Sequence, residues 1–73
     1  MIHGIYIKTR PKAKWHLVSK AASIEMANKD VIDIVCQYKM DGTDIMVAIQ
    51  SFDSDFYIPE YLSAIKEQKQ FYN

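Results

Sequence analysis

Two alternating stretches near the N-terminus limit the folds open to this chain more than any other feature. Residues 4–9, GIYIKT, set Ile5 and Ile7 on one side and Tyr6 and Lys8 on the other; residues 15–20, WHLVSK, alternate likewise, with Trp15 and Leu17 on one side. A period of two is the mark of a half-buried strand. Between them Arg10, Pro11, Lys12, Ala13 and Lys14 form a polar, proline-bearing segment suited to a turn. The chain is therefore expected to open with a β-hairpin. Its register follows from burial, because a slip of one residue sends every side chain to the wrong face. Pairing Ile7 with Leu17 sets Thr9 opposite Trp15 and Ile5 opposite Ser19, which gathers the apolar residues on one face. The same register sets Lys8 opposite His16, Arg10 opposite Lys14 and Gly4 opposite Lys20, with Tyr6 and Val18 among them. Burying one face of such a hairpin makes the other basic.

Residues 23–40 admit two readings. As a helix, Ser23 is the N-cap and Gly42 lies just past the end. Ile24, Ala27, Val31, Val35 and Tyr38 then form an apolar stripe, and Glu25, Lys29, Asp33 and Gln37 a polar one at i, i+4 spacing. As a strand, Val31 to Met40 is β-branched and alternating, and Met40, Asp41, Gly42 and Thr43 would make a two-residue hairpin turn. The unbroken polar stripe favours the helix. Residues 44–52, DIMVAIQSF, read as a strand with Ile45, Val47 and Ile49 on one side, ended by Asp53, Ser54 and Asp55. Pro59 suits the first turn of a closing helix, with Glu60 in that turn and Ile58, Tyr61, Leu62 and Ile65 as its apolar stripe. The expected fold class is α+β, order β-β-α-β-α, a small antiparallel sheet with helices on one face. The alternative is β-β-α-β-β-α, with residues 31–52 as a second hairpin.

With 73 residues, one domain spanning 1–73 is expected, near the lower limit of what folds without staples. Hydrophobic residues make up 49% of the chain, which excludes a disordered class. The single Cys36 forms no internal disulfide and points to a reducing, cytosolic compartment. No apolar run approaches the ~20 residues of a membrane span, and the N-terminus lacks the order of a signal peptide.

Motifs for chemistry are lacking. Cys36 has no His within fifteen residues to serve as its base and reads as a small buried hydrophobe. His3 and His16, thirteen residues apart, do not have zinc-ligand spacing and read as strand residues. Asp41 and Asp44 precede the third strand while Asp53 and Asp55 follow it, so the pairs stand on the order of 30 Å apart and read as turn formers. The only two glycines, Gly4 and Gly42, make no phosphate-binding loop. A non-enzymatic protein without cofactor or metal is expected.

Charge supplies the functional lead. Formal net charge is zero, yet residues 1–22 hold Lys8, Arg10, Lys12, Lys14 and Lys20 with no acid, while all nine acids lie beyond them. A basic face of this kind suits an acidic protein surface, nucleic acid, or the chain's own acidic half, within the molecule or head-to-tail in a homodimer. Eight Lys against one Arg, with ten Ile, is the usage of AT-rich coding and associates the chain with small phage or mobile-element proteins. The expected function is a binding protein that modulates or inhibits a host macromolecular machine by protein contact. A nucleic-acid binder is the alternative, and a ligand-sequestering protein or minimal enzyme with its site at an oligomer interface is a third. Candidate contact residues are Tyr6, Lys8, Arg10, Lys12, Lys14 and His16. A second candidate surface comprises Phe56, Tyr57, Tyr61, Phe71 and Tyr72, aromatics of the kind enriched at interfaces.

Overall fold

A computed structural model describes residues 1–53, 57–65 and 70–72. The expected hairpin is present as β1 (Ile2–Lys8) and β2 (Trp15–Ala21). The Ala13 N–H donates to the Arg10 carbonyl at 3.1 Å, closing a four-residue turn with Pro11 second, where its fixed φ is favourable. Helix α1 (Ile24–Met40) follows, then β3 (Met46–Phe52), β4 (Tyr61–Leu62) and β5 (Gln70–Tyr72). The five strands form one curled antiparallel sheet in the order β4-β2-β1-β3-β5.

The helix reading of residues 23–40 holds, and with it falls the alternative second hairpin over 31–52. Both termini show why. The Met26 N–H donates to Ser23 Oγ at 3.2 Å, satisfying a donor that the first turn leaves without a partner. At the other end Thr43 N–H reaches the Tyr38 carbonyl and Gly42 N–H that of Lys39, both at 3.0 Å. Gly42 adopts φ +76°, the left-handed conformation this double closure requires. Ala27 and Val31 are buried against the sheet, with Ile34, Val35 and Tyr38 packed beside them. Ile24, expected in the same stripe, is exposed rather than buried. The polar residues Glu25, Lys29, Asp33 and Gln37 face outward.

The hairpin register is right at one end only. Gly4 pairs with Lys20 and Ile5 with Ser19, as burial predicts, but Tyr6 pairs with Leu17 and Ile7 with His16. The shift is a bulge that leaves Val18 without a partner of its own in β1. It turns Trp15 and Leu17 onto the face of Tyr6 while Ala21 stays on the face of the helix. The pairing of Lys8 with His16 and the single basic face built on it are thereby corrected. The shifted register buries the Trp15 indole beside Tyr6 and Ala48.

Both faces of the sheet are covered. Against α1 lie Ile5, Ile7, Ala21, Ile45, Val47 and Ile49. On the other face Tyr6, Trp15 and Ala48 are buried, with Leu17, Met46, Phe52, Leu62 and Ile65 packed on them. The closing helix expected after Pro59 is not formed within residues 57–65. Tyr61–Leu62 is instead a strand beside Trp15 and His16, and the Leu17 N–H donates to the Glu60 carbonyl at 2.8 Å. Extended backbone there satisfies the edge of β2 and carries Leu62 and Ile65 onto the second cluster, which a helix starting at Pro59 would not. No helix among the described residues is long and apolar enough to cross a membrane.

Candidate functional site

The β1–β2 loop is a cationic tip. Arg10, Lys12 and Lys14 are exposed, and Lys8 is held at its base. Lys8 Nζ donates to the Pro11 carbonyl at 3.1 Å and stands 4.6 Å from the Trp15 ring centre, a cation–π contact. Lys8 therefore braces the loop, while the other three present their charge outward. Among the described residues none of the four is paired with a carboxylate; His16 Nε2 stands 3.8 Å from Glu60 Oε1, a contact that is an ion pair only when the imidazole carries a proton.

Beside the loop the edge of the sheet adds an aromatic pair. His16 and Tyr61 stack with centroids 4.9 Å apart and planes 13° from parallel, and Tyr61 is 56% exposed. Pairing of Lys8 with Met46 brings the α1–β3 connection, with the exposed Asp41 and Asp44, to the same end of the sheet. A cationic loop and an acidic loop thus stand side by side. Asp53 lies at the far end of β3, so the Asp residues flanking that strand are kept apart. His3 pairs across the strands, its Nδ1 2.8 Å from Ser51 Oγ.

Several expected site residues are elsewhere. Tyr6 has no exposed surface and Trp15 only 4%, so neither is presented to a partner. The Tyr6 hydroxyl donates to the Pro59 carbonyl at 2.6 Å. Burial, aided by the neighbouring Tyr57, pushes its pKa up to about 12. Tyr6 belongs to the core rather than the contact surface. Cys36, expected to be buried, is exposed, because it falls one turn after Ile32 on the outward side of α1. Tyr57 is 74% exposed. Phe71 and Tyr72 pair through β5 with Val47 and Met46, and Phe56 lies outside the described residues. The His16–Tyr61 stack had no signal in the sequence, since the two meet only through β4.

No family model matches the chain, and neither does any curated protein or solved structure.

Proposed function

We propose that this protein is a non-catalytic binding module that docks an acidic protein surface with its β1–β2 loop. The observation that carries the reading is the trio Arg10, Lys12 and Lys14, exposed and without a carboxylate partner among the described residues. The Pro11 turn and the Lys8–Trp15 contact hold that trio on a short, braced loop, so little conformational freedom is lost on docking. The adjacent Tyr61 and His16 supply the aromatic contact area common at interfaces.

A protein partner fits better than nucleic acid. Asp41, Asp44 and Glu60 are exposed around the loop and would repel a continuous phosphate backbone. Tyr6 and Trp15, the aromatics nearest the loop cations in sequence, are buried and not presented for stacking on bases. A surface of mixed sign suits a partner of complementary pattern, with electrostatics guiding encounter and register. Acting by occlusion, a module of this size would modulate a larger cytosolic machine, in keeping with a phage-type accessory protein.

The test is a capture experiment from nuclease-treated and untreated bacterial lysate, using the wild type and the Lys12→Glu, Lys14→Glu double variant. The expected result is one protein retained by the wild type in both lysates and lost with the double variant. Capture that vanishes on nuclease treatment would transfer the reading to nucleic acid. Equal capture by the double variant would remove the loop from the site.

A further inference from the structure

The outward side of α1 carries more apolar surface than a solvated helix needs. Eight large hydrophobic side chains are exposed among the described residues, and four stand on this helix: Ile24, Met26, Ile32 and Met40. Ile32 is 62% and Met40 88% exposed, and the exposed Cys36 lies midway between them. Ile32, Cys36 and Met40 recur every four residues and so form one row along the helix.

Charges flank the row in a regular order. From the N-terminal end Glu25, Lys29, Asp33 and Lys39 alternate in sign, and all four are exposed. Glu25 with Lys29, and Lys29 with Asp33, have the spacing of helix ion pairs, yet neither pair closes. Read backwards, the series has the opposite sign at each place. A second helix of the same sequence laid antiparallel therefore meets an opposite charge along its length, whereas one laid parallel meets like charges. The face complements itself.

We propose that α1 is the interface of a homodimer, two copies packing their helices antiparallel about a twofold axis at Ile32. In that register Ile32 meets Ile32 of the second copy, Glu25 faces Lys39, and Asp33 of the second copy stands two residues, about 3 Å along the helix, from the point opposite Lys29, within reach of the lysine side chain. The Ile32 contact lies on the axis, and each charge contact occurs twice, as a twofold interface demands. Met26 and Met40 flank the axis with adaptable side chains that fill an irregular seam. A 17-residue helix is about 25 Å long, so the buried area falls near the lower limit of specific interfaces, on the order of 1,000 Å². A micromolar dimer is expected. The interface is distinct from the basic loop, so either reading can fail without the other.

Sedimentation equilibrium of the purified chain tests it, from about 1 μM to about 1 mM. The wild type should pass from monomer to dimer within that range. Ile32→Asp should weaken the dimer by about tenfold or more, and Lys29→Asp by about tenfold, as expected for loss of ~1.4 kcal/mol or more. The reversal Lys29→Asp with Asp33→Lys should return affinity to within about threefold of wild type, since it rebuilds the same pairs with signs exchanged. Helical circular dichroism confirms that each variant folds. A wild type monomeric throughout, a dimer indifferent to Ile32→Asp, or a reversal variant that fails to recover would each overturn the proposal.

Discussion

The two faces of the sheet are closed by different means. On one, a 17-residue helix capped at both ends lays Ala27 and Val31 onto a layer of Ile and Val. On the other, two aromatic residues are covered by Leu62, Ile65 and neighbouring side chains, with only a two-residue strand, β4, at that edge. The helix face is aliphatic, regular and held by backbone bonds internal to the helix. The aromatic face depends on a few large side chains and on long-range hydrogen bonds such as Tyr6 to Pro59 and Leu17 to Glu60. Gly4 shows how tightly it is filled: a Cβ there would lie 2.9 Å from Tyr6 Cε1 and 3.2 Å from Leu17 Cδ1. A sheet with both faces closed can stand on few residues, but its irregular half then carries more energy per side chain.

The most direct way to break this comparison is one large truncation on each face. Trp15→Ala removes an indole that is 4% exposed and that holds Lys8 over its ring. A loss of about 3–5 kcal/mol is expected, which for a chain of this size consumes most of its stability. Ile49→Ala on the helix face should cost about 2–4 kcal/mol. Urea unfolding of both variants measures the ranking. If Ile49→Ala proves the costlier, the aromatic cluster is a cover over a one-sided core rather than a second core.

Tyr6 sharpens the comparison through pH. Its pKa stands near 12 against an ordinary 10.0, chiefly because burial disfavours the phenolate. Between those values the unfolded chain has released the proton and the folded chain still binds it, so stability must fall as pH rises. The contribution is whole below about pH 10 and gone above about pH 12, a loss of about 2–3 kcal/mol. Tyr6→Phe lacks the titrating group but also leaves the Pro59 carbonyl without its donor, costing about 1–2 kcal/mol at neutral pH. Wild type should therefore begin above the variant and sink to it or below it between pH 10 and 12 in denaturant titrations. Parallel curves would mean that water reaches the hydroxyl and that the second face is looser than its packing implies.

The regular half was legible in the sequence, and the irregular half was not, for the same physical reason. Ser23 and Gly42 mark the limits of α1 because capping is local chemistry, readable from a few neighbours. DIMVAIQSF reads as a strand because its period is uninterrupted. The bulge at Val18 has no local signature; it accompanies the packing of Trp15 with Tyr6 rather than with Ile5 and Ile7, a contact between strands that lies outside any short window. The spacing of Ile58, Tyr61, Leu62 and Ile65 resembles a helix, but Leu62 and Ile65 serve an aromatic cluster that no short window contains. The loop cations were legible as charge. Their division into a bracing Lys8 and three outward-facing partners depends on the bulge, and so was hidden with it.

The smallest effects belong to the caps, and they test whether the legible half is also the more tolerant. Ser23→Ala removes the acceptor for the Met26 N–H but leaves that donor at the protein surface, where water replaces it. The cost should be about 1 kcal/mol. Gly42→Ala forces a Cβ into φ +76° although no atom lies within 4 Å of where it would sit. Space is free, so only backbone strain is charged, again about 1 kcal/mol. The two sites lie at opposite ends of α1 and share no partner, so the double variant should lose their sum to within about 0.5 kcal/mol. Thermal unfolding by circular dichroism reads all three. A double variant far worse than additive would show that α1 frays as one unit once uncapped, making the helix face the more cooperative of the two.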